Sequence, residues 1–258
     1  MKILKIIAAL FLALAITLPT VAAKSDTDKI NWFFKSKGDN RRPEIPLSAI
    51  LNESDALYIG PEGDKTVYLT FDAGYGNENV EKILDVLKSH EIKAAFFILP
   101  GIIKNSESLV KRMANDGHTV CNHTTTHGDM AKVTNVTDFK NELDGVANLY
   151  REKTGLEMAS YFRPPEGSFS KKTLEFCKEL KVTPVFWSFA YADWDNSNQP
   201  SPEKAKDKIL SCVHDGAVIL LHPTSKTNAD ILDDVICELK NRGYSFGTLD
   251  ELYGKVAK

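Results

Sequence analysis

The sequence predicts an α/β fold: a parallel sheet curled into a closed or nearly closed (β/α) barrel, with helices outside. Three observations carry that reading. From Lys65 onward, strand and helix patterns alternate with short connections, as in a parallel sheet built from β-α units. The strand runs, such as Val67-Tyr68-Leu69-Thr70-Phe71 and Val218-Ile219-Leu220-Leu221, are nearly continuous in apolar residues, as strands buried on both faces are. Several of these runs end on a titratable residue, and the carboxyl ends of the strands are where such a barrel gathers its chemistry.

Taken in order, the first run (67–71) stops on Asp72 and a glycine-punctuated loop, Ala73-Gly74-Tyr75-Gly76. Val80, Ile83, Leu84 and Leu87 then fall at helical spacing, predicting a helix from Glu78 to about His90. Residues 93–99 read as the next buried strand, stopped by Pro100-Gly101. Residues 105–116 read as helix, and 118–121 as a short strand that delivers Asn122 and His123. An amphipathic helix follows over 137–152, with Phe139, Leu143, Val146, Leu149 and Tyr150 on its apolar face. A short strand at 161–162 runs into Arg163-Pro164-Pro165-Glu166-Gly167. Residues 170–180 are helical, 182–189 extended, and a loop passes through Trp194 to a helix at 202–211. Strand 217–221, helix 228–241, strand 244–246 and a small terminal helix complete the chain. Seven or so such units, with no internal repeat or linker, make one domain.

The amino-terminal part reads differently. Lys2 and Lys5 precede the apolar stretch 6–18, followed by Pro19 and Val21-Ala22-Ala23, which predicts an export signal in residues 1–23. The apolar stretch of 13 residues is short for a membrane span of about 20, which favours cleavage over anchorage. Membrane contact is therefore expected only through an uncleaved signal. Residues 24–64 are a polar, proline-interrupted extension that packs on the domain through the anchors Trp32, Phe33 and Phe34, and 65–258 form the domain itself.

The chain has 258 residues, 43% of them apolar and 26% charged, which fits a globular protein with a full core. Residues 1–23 hold two lysines and no acids, so the mature chain has 30 basic and 35 acidic residues, a net charge of −5. No Lys/Arg stripe appears, which argues against nucleic acid as a partner. Cys121, Cys177, Cys212 and Cys237 lack metal-site or redox spacing and are expected to be mostly buried free thiols. The protein is expected to be an exported monomer of the cell envelope.

Asp72, His123, Arg163, Asp193 and His222 all lie at or just after predicted strand ends, and packing alone hardly explains that convergence. His123 and His127 sit at i and i+4; on a helical turn both imidazoles face one way and can ligate one divalent metal. His222 ends a buried run. It is either a satisfied core histidine or, at the rim, a general acid titrating near neutrality. Asp193 is placed to orient it. Arg163 is placed to hold Asp72 ionised, since a nearby cation favours the carboxylate. A lone Asp at a strand end often only caps the next helix, so the weight of Asp72 rests on its company. Trp194 can stack on a sugar face or be plain core. His90, His118 and His214 read as structural or solvent-facing.

Together these residues resemble the polysaccharide deacetylase (NodB-homology) family, carbohydrate esterase family 4. Thr70-Phe71-Asp72-Ala73-Gly74 is similar to its T-F-D-D-G motif, His123 to His127 to its H-S/T-x-x-H motif, and Arg163 to Gly167 to R-x-P-x-G. Asp193-Trp194 and Ile219-Leu220-Leu221-His222 match its last two motifs in the family's order. The resemblance implies a distorted (β/α) barrel of NodB-homology type that removes acetyl groups from N-acetylated sugars. It makes Asp72 the base, His222 the acid that protonates the leaving amine, and Arg163 and Asp193 their partners. His123 and His127 become ligands of a divalent metal, zinc or another first-row ion, and Tyr75, Trp194 and Pro165 become substrate contacts.

One position departs from the pattern. The family's second Asp, a third metal ligand, is Ala73 here, which implies weaker metal binding. That departure, with Tyr68 to Tyr75, Phe186 to Asp195 and Leu220 to Ala229, resembles the branch that deacetylates N-acetylmuramic acid. There the freed amine closes on the lactyl carboxylate to give the muramic δ-lactam of spore cortex peptidoglycan. The implied partner is a glycan strand carrying peptide-free muramic acid. Two other readings stand beside this one: a deacetylase of GlcNAc, chitooligosaccharide or acetyl-xylan, and a glycan-binding pseudoenzyme. The retention of Asp72, both histidines, Arg163, Asp193 and His222 argues against the last.

Overall fold

The computed structural model describes residues 25–256; the expected export signal lies outside the described residues. Its elements run β1 (Ile30–Asn31), α1 (Ser48–Asn52), β2 (Thr66–Ala73), α2 (Glu78–Ser89), β3 (Ala95–Ile98), α3 (Pro100–Asn105), α4 (Glu107–Asn115) and β4 (Thr119–Asn122). They continue with α5 (Val136–Thr154), β5 (Tyr161–Phe162), β6 (Ser168–Phe169), α6 (Lys171–Glu179), β7 (Thr183–Pro184), α7 (Pro202–Cys212), β8 (Val218–Leu221), α8 (Lys226–Asn241), β9 (Ser245–Phe246) and α9 (Leu249–Val256). Among the described residues no helix is long and apolar enough to cross a membrane.

The main sheet is parallel and curled, in the order β7-β5-β4-β3-β2-β8, with β9 also pairing the start of β2. The expected strand over 182–189 is regular only at Thr183–Pro184. Beyond it the chain changes partners: Leu57 bridges Val185, and Phe189 bridges Ile219 of β8. This segment therefore runs from the β5 edge to the β8 edge, and irregular pairing closes what regular strands leave open. That is the distortion of the barrel.

Strand pleat explains the two-layered core. On β2, Val67, Leu69, Phe71 and Ala73 pack outward in the layer beneath the helices, with Ile98, Ile83, Leu87, Val235 and Ile236. Tyr68 points into the barrel with Phe97, Cys121, Val185 and Val218. Thr70 and Asp72 are in phase with Tyr68, so the strand delivers Asp72 to the inner face of the rim and Ala73 to the outer layer.

Pro100 does more than stop β3. It occupies the first turn of α3, where its missing N–H costs nothing. The amino-terminal extension packs on the barrel through β1, which pairs antiparallel with β6, and through Trp32, which lies against Phe186 and Tyr58. Of its three expected anchors, Trp32 is buried, Phe34 half-buried and Phe33 exposed, so Phe33 is no anchor. All four cysteines are free; Cys237 is exposed and the other three are buried.

Candidate active site

Arg163 is the buried centre of the site. It leaves β5 fully enclosed, and every guanidinium nitrogen has a partner: Nε donates to the Val185 carbonyl at 3.1 Å, Nη1 to Asp72 Oδ1 at 2.8 Å, and Nη2 to Thr70 Oγ1 at 2.8 Å. Its Cζ lies 4.1 Å from the Phe97 ring centroid. A buried cation held this way is fixed in position and presents its charge to one carboxylate.

That carboxylate is Asp72. Burial pushes its pKa up, but the charges of Arg163, His123 and His222 outweigh burial and leave it below the ordinary carboxylate value. With Oδ1 bonded to Arg163, Oδ2 is the oxygen left to take a proton.

His123 ends β4, buried, and its Nδ1 donates to the Arg163 carbonyl at 2.9 Å. That bond leaves the Nε2 lone pair facing Asp72 Oδ2 at 3.5 Å. Burial pulls the imidazole down to about 4, so no proton sits between these two acceptors at neutral pH. A ring N–H tied to a carbonyl is the usual support of a metal-ligating histidine, and it leaves the Nε2 lone pair free to ligate. His127, exposed, has its ring centroid 5.1 Å from that of His123. The donor set fits a divalent first-row ion.

The route to that convergence is not the expected one. Residues 123–127 are a loop, with Thr124 at φ 71° and His127 at φ 56° in the left-handed region, so helical spacing does not bring the rings together. Among the described residues, the one trio of metal-type donors mutually within 4.8 Å is His90, Asp233 and Cys237, at the far end of α2. There Lys240 Nζ lies 3.2 Å from His90 Nδ1, so Nε2 carries the proton given to Asp233 and offers no lone pair.

His222 follows β8 and is held twice by Asp193. Its backbone N–H donates to Oδ2 and its Nδ1 to Oδ1, both at 2.8 Å. Burial alone lowers the imidazole pKa; the hydrogen bond and charge of Asp193, with the charge of Asp72, overcome it and raise the pKa above its ordinary value. Nε2 is left free to give a proton.

The expected substrate contacts divide. Trp194 is 63% exposed and Tyr75 50%, and Asn196 Nδ2 donates to the Tyr75 hydroxyl at 2.5 Å, tying two rim loops together. Gly76, next to Tyr75, has no room for a side chain, because a Cβ there collides with Ser106 and Leu109. Pro165 is buried and gives a ligand no exposed face; it opens the tight turn that carries Glu166 at φ 55°.

Sequence reading missed three residues that build the site. Thr70 holds Arg163, Glu142 holds the histidine loop, and Asn228 donates to Asp193 Oδ2 at 2.6 Å while accepting from the Tyr191 hydroxyl. Thr70 was visible as the one polar residue in an apolar run. Glu142 and Asn228 lie within helices, and nothing in spacing marks them.

The family model for polysaccharide deacetylase matches residues 59–185. The peptidoglycan-N-acetylmuramic acid deacetylase PdaA of Bacillus subtilis is 39% identical over 227 residues, covering 87% of this chain and 86% of that protein. A peptidoglycan-N-acetylglucosamine deacetylase of Bacillus cereus is 33% identical over 86% of this chain and 80% of its own length. The solved structure of Bacillus subtilis PdaA, a family 4 carbohydrate esterase, superposes with a TM-score of 0.84 at 38% identity, over 88% of this chain and 97% of that one. With its curled parallel sheet, its five motifs and these relatives, the chain belongs to the polysaccharide deacetylase family, in its PdaA-like branch.

Proposed function

We propose that this protein is a hydrolase that removes the N-acetyl group from N-acetylmuramic acid in peptidoglycan. The observation that carries the reading is the opposition of Asp72 and His222 at one rim: each alters the other's titration, one toward the anion and the other toward the cation. Two groups whose pKa values are driven apart suit base and acid of one reaction. The muramic acid substrate rests on the 39% identity to PdaA across nearly the whole chain.

In the reaction, Asp72 Oδ2 takes a proton from the water that attacks the acetyl carbon. His222 Nε2 then protonates the sugar nitrogen as the C–N bond breaks, releasing acetate and the free amine. Arg163 holds Asp72 ionised and oriented; Asp193 keeps the His222 imidazole protonated and aimed. A divalent ion on His123 and His127, zinc or another first-row ion, supplies Lewis-acid polarisation of the acetyl carbonyl. With Ala73 in the outer layer, the protein offers that ion two ligands, which makes its binding weak. Tyr75 and Trp194 present exposed rings to the glycan. The freed amine of muramic acid then closes on its own lactyl carboxylate, with loss of water, to a δ-lactam, and the same reading makes the protein an exported monomer acting at the spore cortex.

Acetate release from peptide-free glycan strands containing muramic acid, with and without a chelator, tests this. Release from those strands and not from chitooligosaccharides is expected, and loss of release in chelator. Release from chitooligosaccharides alone makes this a deacetylase of N-acetylglucosamine, the activity the Bacillus cereus relative is named for.

A further inference from the structure

The loop from His123 to His127 does not hold its own shape. Thr124 and His127 both lie in the left-handed region, which a β-branched residue such as Thr124 rarely enters unless its surroundings impose it. Inside the loop a single bond, His127 N–H to Thr124 Oγ1 at 2.9 Å, closes the turn. His123 itself is tied to the Arg163 and Ile98 carbonyls, and the restraints on the three threonines come from β4 and above all from α5. Asn122 Oδ1 accepts from Thr124 N–H at 2.9 Å, and Asn122 Nδ2 donates to the Leu143 carbonyl at 2.9 Å. Glu142 takes the middle of the loop: Oε2 accepts from Thr125 N–H at 3.1 Å and Thr126 N–H at 3.0 Å, Oε1 from Thr126 Oγ1 at 2.8 Å, and its carbonyl from Thr125 Oγ1 at 2.8 Å.

Gly145 lies three residues further along α5, against the same threonine. A Cβ there would overlap the Thr125 side chain, so the helix meets the loop through one carboxylate and one bare position. Two of the three residues that separate the histidines, Thr125 and Thr126, are thus fixed by a residue on another element.

We propose that Glu142 is a positioning residue for the divalent ion. Its carboxylate sets the separation of His123 and His127, and a site with two protein ligands, lacking the third at Ala73, depends on that preorganisation for its affinity. The inference rests on the reading that both histidines hold the ion. The loop's ordering is completed in the folded chain before the ion arrives, so the ion does not bear that entropic cost.

The test is calorimetric titration of Zn²⁺ into the purified protein and its variants. Glu142→Ala is expected to weaken Zn²⁺ binding about tenfold, the lower end of the usual loss for a residue supporting metal ligands. Glu142→Gln is expected to keep parent-like affinity: its amide oxygen can take both N–H groups and its NH₂ can donate to Thr126 Oγ1. Saturating Zn²⁺ is expected to bring the acetate-release rate of Glu142→Ala back toward the parent's, which a general folding defect does not allow. Gly145→Ala gives an independent arm. Alanine is the better helix former, yet its Cβ displaces Thr125, so Zn²⁺ affinity is expected to fall while α5 gains helix propensity. Parent-like Zn²⁺ affinity in Glu142→Ala or in Gly145→Ala overturns the proposal, as does Glu142→Gln losing as much as Glu142→Ala. A His123→Ala, His127→Ala double variant separates the levels. If it binds Zn²⁺ as the parent does, the ligand reading falls and takes this one with it; if only it loses binding, this proposal alone fails.

Discussion

The His222 imidazole and the Asp193 carboxylate are joined through both oxygens of the acid, one to the ring nitrogen and one to the backbone N–H of the same residue, each at 2.8 Å. Asn228 Nδ2 adds a third donor to Asp193 at 2.6 Å. The acid is therefore fixed relative to the chain that carries the imidazole, so its charge acts on His222 in one geometry.

Replacing that charge moves a pH limit. His222 must be protonated to act as acid, so activity falls as pH rises through its pKa, which lies above the ordinary histidine value. In Asp193→Asn the larger raising influence goes and the charge of Asp72 alone opposes burial, so the alkaline limb of the acetate-release profile is expected to shift to lower pH. The rate at neutral pH is expected to drop by about 10²–10⁴-fold, the usual worth of a positioned acid. An unchanged alkaline limb would separate His222 from the acid role.

Removing Arg163 leaves a carboxylate without its cation. Arg163→Met is expected to lower stability by about 3–5 kcal/mol, measured by denaturant titration, because the partner charge stays buried. Asp72 in the parent has a lowered pKa, so it contributes stability above its unfolded pKa that is lost as pH falls through the folded one. In the variant burial outweighs the remaining charges and raises the folded pKa above the unfolded one, so the sign reverses: Asp72 is expected to cost stability near neutral pH that is recovered as pH falls through its folded pKa.

Ala73→Asp reintroduces a candidate ligand at a fully buried position of the outer apolar layer. Without metal the variant is expected to lose about 1–3 kcal/mol, seen as a lower Tm, since a polar group is buried among apolar ones. The pleat turns residue 73 away from His123 and His127, so calorimetric titration is expected to show parent-like Zn²⁺ binding; tighter binding would show that the end of β2 can turn this carboxylate toward the histidines.

His118 gives a pH dependence remote from the rim. Burial, aided by Lys93, pulls it down to about 4. Unfolding frees it to bind a proton at its ordinary pKa of about 6.5, so stability is expected to fall as pH drops from about 6.5 toward 4, and to be complete above that window. At about 1.4 kcal/mol per pH unit the contribution is on the order of 3 kcal/mol. Its Nδ1 accepts from Ala94 N–H at 3.2 Å. His118→Asn can keep that bond, and its stability is expected to vary less across the same window.

The sequence by itself determined the alternation of elements and the strands whose ends carry the chemistry. Burial on both faces forces continuous apolar runs, and the runs ending at Asp72 and His222 are legible for that reason. Helix positions followed from periodicity, and the observed bounds of α2, α5 and α6 differ from the sequence reading by one or two residues. Tertiary structure decided what spacing does not encode. The His123–His127 convergence comes from Glu142 on another element, where a helical turn was expected, and local periodicity carries no information about such a contact. The partner switch at Val185 depends on Leu57 of the extension, far away in sequence. Pro165 turned inward and Phe33 outward because the packing of neighbouring segments, rather than residue type, sets exposure. The pleat of β2 separated Asp72 from Ala73, one to the reacting side and the other to the apolar layer, and that division is a property of the folded sheet alone.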